Sequence, residues 1–135
     1  MFAWLKKKPQ ETPLAGAPPV RRQKTYSAES GYVYQYYYLG YRAAERSGAP
    51  GVEYVFDVSA DRKLWFPVTV FVAASALDSW QKRQERPLID SERYAVAKLS
   101  LLQAFDQRSD PAAMTAEVRP GAEDVDSILE TLGIV

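Results

Sequence analysis

An α+β fold is what this chain predicts, and three observations carry it. Aromatic and β-branched runs fill the first half, helical periodicity fills the second, and the change of period occurs once, near Ala73. Strands followed by helices imply a small antiparallel sheet of three to four strands, with three helices packed on one face and an extended N-terminal arm ahead of it. At 135 residues one core is expected.

The arm comes first along the chain. Pro9, Pro13, Pro18 and Pro19 fall among small and polar residues with neither a helical nor a strand period, which reads as extended backbone. Folded structure is expected to begin near Lys24 or Thr25. Residues 1–24 are thus a flexible, Pro-rich, basic arm and residues 25–135 a single α+β domain. Charge follows the same division: residues 1–25 hold six Lys or Arg against Glu11, net +5, and residues 26–135 hold eleven against sixteen acids, net −5.

From Gly31 to Ala43 the residues favour one long strand, with Tyr32, Tyr34, Tyr36 and Tyr38 on one face and Val33, Gln35, Tyr37, Leu39 and Tyr41 on the other. Ser47 to Gly51 read as a loop. Val52, Tyr54, Phe56 and Val58 then alternate with Glu53, Val55, Asp57 and Ser59 as a half-buried strand. A turn at Ala60 to Lys63 leads into Leu64 to Val72, where Pro67 marks an edge strand or a bulge because proline donates nothing to a ladder. Short connections make the three strands a meander.

Helical spacing begins with Ala73, Ala76, Leu77 and Trp80, with Ser75 and Asp78 as a capping box and Pro87 as the stop. A second helix runs from Asp90 or Ser91 to about Gln107, its apolar side formed by Tyr94, Ala97, Leu101, Leu102, Ala104 and Phe105. A third spans Ala122 to Leu132, with Glu123 and Asp124 in its first turn and Gly133 ending it. Ala116 to Arg119 is expected as a short strand between them.

Composition narrows the chemistry. Without cysteine or histidine there are no disulfides, thiolate ligands or imidazole bases, and neither a metal site nor a cofactor is expected. Tyr94 and Lys98 are the catalytic candidates. At 100° per residue Lys98 sits about 40° from Tyr94, among apolar positions of its helix. The pair shares the Tyr-x-x-x-Lys spacing of short-chain dehydrogenases, yet the Gly-rich turn and chain length of those enzymes are missing, so the similarity stops at two residues. Ser79 and Lys82 form a Ser-x-x-Lys match without its Lys-Thr-Gly partner. Asp57, Ser59 and Asp61 have the spacing that opens a calcium loop, but Arg62 takes the glycine position and Val68 that of the bidentate glutamate.

The densest signal is phenolic. Seven of nine tyrosines lie between Tyr26 and Tyr41, and Tyr32, Tyr34, Tyr36, Tyr38, Tyr41 and Arg42 are the expected binding residues. The leading expectation is a non-catalytic interaction or accessory protein that self-associates, as a homo-oligomer, or binds a protein partner through this strand. One alternative is a small ligand-binding domain or enzyme using Tyr94, Lys98 and a sheet carboxylate such as Glu53 or Asp57, in a pocket between sheet and helices. A second is single-stranded nucleic-acid binding by the aromatic sheet and basic arm, against which the acidic body argues. Phe2, Trp4 and Leu5 beside Lys6, Lys7 and Lys8 offer a weak membrane-surface contact. No spanning segment or secretory signal is read, and a cytoplasmic location is expected.

Overall fold

The computed structural model describes residues 12–135, so the expected membrane contact at residues 2–8 lies outside the described residues. Four strands, β1 (Lys24–Ser27), β2 (Val33–Arg46), β3 (Ala49–Ser59) and β4 (Phe66–Ala73), form one antiparallel sheet in sequence order. Helices α1 (Ala74–Gln84), α2 (Asp90–Gln107) and α3 (Ala122–Thr131) follow, with a short 3-10 turn at Pro111–Thr115. The α+β architecture is as the residue patterns predict.

The core lies between sheet and helices. Tyr34 and Tyr36 of β2, Phe56 and Val58 of β3, and Val68, Val70 and Val72 of β4 meet Leu77 and Trp80 of α1 and Leu101 and Phe105 of α2. Helix α3 packs chiefly on α1 and α2, closing the core with Val125, Ile128 and Leu129. Apolar burial of this kind contributes about 25 cal/mol per Å², which makes the single helix-covered face the main source of stability.

Several local features depart from expectation. The β2–β3 connection is a two-residue turn: Ser47 and Gly48 both have positive φ (53° and 82°), and Arg46 pairs directly with Ala49. Two left-handed residues in succession give the hairpin turn whose twist matches its strands, so the strand resumes where a five-residue loop was expected. Helix α1 starts directly from β4 at Ala74, with Ala73 as its cap residue and no side-chain cap bond, so the expected capping box of Ser75 and Asp78 does not form. Pro67 does sit on an edge strand, β4. The expected strand at Ala116 to Arg119 reduces to one parallel bridge, with Val118 N–H donating to Thr69 O and Phe71 N–H to Val118 O. The Ala60 to Lys63 turn is held by its own polar groups: Ser59 Oγ accepts from Arg62 N–H at 2.8 Å, and Asp61 accepts from Lys63 and Leu64 N–H. Spacing that resembles a calcium loop therefore serves the backbone.

The register of β2 shifts between Tyr38 and Gly40. A bulge adds one residue and so changes which face the following side chains take. Tyr41, expected opposite Tyr38, instead pairs with Tyr54 and packs toward the core. Gly40 has φ 128°, and a Cβ there would stand 2.5 Å from Ala15 O. The bulge is thus the place where the arm reaches the sheet.

Candidate functional site

Residues 12–23 are the second half of the expected arm, and they lie against β2. Ala15 exchanges both backbone hydrogen bonds with Tyr41, at 2.8 and 2.9 Å. The chain then leaves the edge and returns as β1, where Lys24 pairs with Tyr36. Residues 16–23 bow outward because they cover the distance that 37–40 cover on β2. The bow is held on the other face of the sheet by Arg21, which lies 4.3 Å over the Tyr37 ring and 3.5 Å from Asp57.

Beneath the bow is a cavity of about 550 Å³. Its floor is the phenol cluster of the sheet, Tyr36, Tyr38 and Tyr41 from β2 and Tyr54 from β3, and Tyr94 faces them from α2. Gly16, Pro18 and Val20 of the bow close one side, and the first turn of α2 closes another. Tyr36 and Tyr54 are buried, whereas Tyr38, Tyr41 and Tyr94 are half-buried. The rings touch one another in tilted pairs, Tyr38 with Tyr94 at 4.6 Å and Tyr41 with Tyr54 at 5.9 Å. Such tilted contacts suit the ring quadrupoles.

The hydroxyls of these five tyrosines accept or donate no hydrogen bond among the described residues. Burial, ahead of neighbouring phenols, pushes Tyr38 above its ordinary value, and burial pushes Tyr54 up to about 12. The same cause raises Tyr36 and Tyr94. Tyr36, Tyr38, Tyr54 and Tyr94 thus remain protonated donors at neutral pH. Charge at the rim is unbalanced: Arg22, Lys24 and Arg93 line the cavity against one carboxylate, Asp90.

The expected site residues separate into distinct places. Tyr34 has no exposed surface and belongs to the core, while Tyr36, 4% exposed, is buried with one side in the cavity floor. Tyr32, 38% exposed, is the member of the expected binding set at the surface, while Tyr38 and Tyr41 face the cavity. Arg42 lies on the opposite face, paired with Glu53, which also accepts from Arg46 Nη2 at 2.7 Å. The ligand-site expectation is corrected in its membership. Tyr94 lines the cavity, but Lys98 does not, and Glu53 and Asp57 project from the other face of the sheet because they alternate with Tyr54 and Phe56. Ser79 and Lys82 are both exposed on α1. Among the described residues no cluster of His, Cys, Asp or Glu is arranged to hold a metal, and no helix is long and apolar enough to cross a membrane.

Residue patterns did not single out Arg93, Val52 or the bow itself. Arg93 immediately precedes Tyr94 on a helix whose apolar stripe includes Tyr94, which was the available signal. No family model, curated protein or solved structure matches the chain.

Proposed function

We propose that the protein is a non-catalytic binding module that takes a small, largely apolar molecule into the tyrosine-walled cavity between β2, β3, α2 and the bow of residues 16–23. One observation carries the reading: five phenol rings converge on about 550 Å³ of space with their hydroxyls uncommitted among the described residues. Ligand sites commonly occupy about 300–1,000 Å³ and combine apolar walls with a few directed polar groups. Tyrosine supplies both, because its ring gives contact area and its hydroxyl gives direction. The lack of cysteine and histidine, with Lys98 away from the cavity, favours recognition over catalysis.

Titration with 2-naphthol, followed through the tyrosine ring resonances, tests this. Binding at submillimolar concentration is expected, weakened on the order of tenfold by Tyr41→Ala, which removes one ring from the wall. If neither 2-naphthol nor its acid counterpart 2-naphthoate shifts these resonances at millimolar concentration, the reading is wrong.

Self-association through the tyrosine strand is a separate reading, supported by Tyr32 and Val33, exposed by 38% and 43% at the start of β2. Light scattering over a wide concentration range tests it. A monomer throughout removes it.

A further inference from the structure

Arg93 sits in the first turn of α2 at the cavity wall, and its Nε is shut off from solvent with no hydrogen-bond partner among the described residues. Its situation differs from that of the other half-buried arginines. Arg42 and Arg46 pair with Glu53, Arg86 pairs with Glu92 at 2.9 Å, and Arg108 donates to the Ala113 and Ala116 carbonyls. Among the described residues Arg93 alone in this group has neither an ion pair nor a carbonyl acceptor. A guanidinium with no such partner at the wall of a cavity leaves its outer N–H groups available to an anion bound there.

The rest of the wall has the same bias. Arg22 and Lys24 approach from the bow and β1, and among the described residues the one carboxylate lining the cavity is Asp90. Counting Arg93, three cations face one acid among the described residues of the wall, an excess of +2. Uncommitted phenol hydroxyls add donors for oxygen acceptors. An aromatic cage alone would suit a quaternary ammonium, but this excess of positive charge opposes a cation.

We infer that the ligand is an apolar organic acid, its hydrocarbon body among the five tyrosines and its carboxylate against the Arg93 guanidinium. This rests on the binding reading given above and adds the chemical class of the occupant. A guanidinium presents two parallel N–H groups to a carboxylate, and bonds of this kind are stronger than those between neutral groups. Arg22 and Lys24 contribute a longer-range attraction that salt screens.

Three probes of one ring system decide it on the full chain: 2-naphthoate, 2-naphthol and (2-naphthylmethyl)trimethylammonium. At pH 7 the acid is expected to bind on the order of tenfold or more tighter than the alcohol, and the ammonium most weakly. Arg93→Met should bring the ratio of acid to alcohol affinity from tenfold or more down to about one, since it keeps a chain of similar length without the charge. Should Arg93→Met fail to fold, the surface variant Arg22→Gln with Lys24→Gln is measured instead, and it should reduce both the acid preference and its salt dependence. Equal affinity for acid and alcohol, or tighter binding of the ammonium, overturns the acid assignment and leaves the cavity reading intact. Absence of binding by all three overturns the cavity reading itself.

Discussion

The ring of Tyr34 lies flat on that of Phe105, with centroids 4.1 Å apart and planes 8° from parallel. This contact joins β2 to α2 at the centre of the core, where both residues have no exposed surface. The Tyr34 hydroxyl is also buried, with no hydrogen-bond partner among the described residues. Tyr34→Phe therefore removes an unsatisfied polar atom and keeps the stacked ring, and stability should be unchanged or rise by up to about 1 kcal/mol. Tyr34→Ala leaves a cavity beside Phe105 and should cost about 3–5 kcal/mol. Urea denaturation of the two variants measures both, and a large loss in Tyr34→Phe contradicts the absence of a partner.

Tyr26 donates its hydroxyl hydrogen to Asp106 Oδ2 at 2.7 Å, fastening β1 to the end of α2. That bond to a carboxylate, ahead of burial and nearby charge, pushes the Tyr26 phenol up to about 12. Unfolded, the phenol ionises near 10. Because the folded value is the higher, this contribution is complete below pH 10 and is lost as pH rises through 12. Tyr26→Phe should lower stability at pH 7 by about 1 kcal/mol and make the decline above pH 10 shallower. Denaturation midpoints from pH 7 to 11.5 test the sign, and an unaltered alkaline slope would count against the bond.

On the solvent side of the sheet, Arg46 bridges Glu53 and Glu117, donating to each at 2.7 Å, with its guanidinium 4.6 Å over the Phe71 ring. Burial opposes ionisation of both carboxyls, but hydrogen bonds from Arg42 and Arg46 to Glu53, and from Arg46 and Arg119 to Glu117, outweigh it and hold both below their ordinary value. With folded values depressed, their contribution is present above the unfolded carboxyl value of about 4.3 and is lost as pH falls through the folded ones. Glu53→Gln should cost about 1–3 kcal/mol at pH 7 and flatten the acid limb of the stability curve. A variant as stable as the parent at pH 7 would show the network to be ornamental to the fold.

Gly40 has room for the Ala15 carbonyl only because it lacks a side chain. Gly40→Val places a β-branched residue at φ 128° and drives its Cβ into that oxygen, so the pairing of Ala15 with Tyr41 must break. Residues 12–23 should then lose amide protection while α2 keeps its own, and affinity for naphthyl probes should fall with the loss of the wall formed by Gly16, Pro18 and Val20. Hydrogen exchange resolved by segment reads this directly. Retained protection at Ala15 and Tyr41 would contradict it.

The parts of the fold that were legible beforehand are those written in period. Alternation in Val52 to Val58 and helical spacing in Tyr94 to Phe105 place β3 and α2, and bury the expected Tyr54, Phe56, Val58, Ala97, Leu101, Ala104 and Phe105, whereas Val96 and Ser100 are buried as well and Tyr94 and Leu102 are half-buried. β1 escaped notice. Its four residues, Lys24–Ser27, alternate too briefly to leave a pattern, and their strand character comes from pairing with β2. The bulge at Leu39 had a visible signal in Gly40, since a glycine within a strand marks a bulge or a close backbone approach. Its effect on Tyr41 depends on the partner strand.

By itself the sequence determined the α+β class, the order of strands and helices, the density of tyrosine around β2 and the absence of imidazole and thiol chemistry. Tertiary structure alone decided where those phenols went: Tyr34 into the core, and Tyr36, Tyr38 and Tyr41 to a cavity with Tyr54 and Tyr94. It also brought an arginine of α2 together with residues 16–24, about seventy positions earlier in the chain. Periodicity says that a side chain has an inward face to occupy, whereas what it meets there depends on register and on the path of the chain between strands, and those are set by contacts between distant residues.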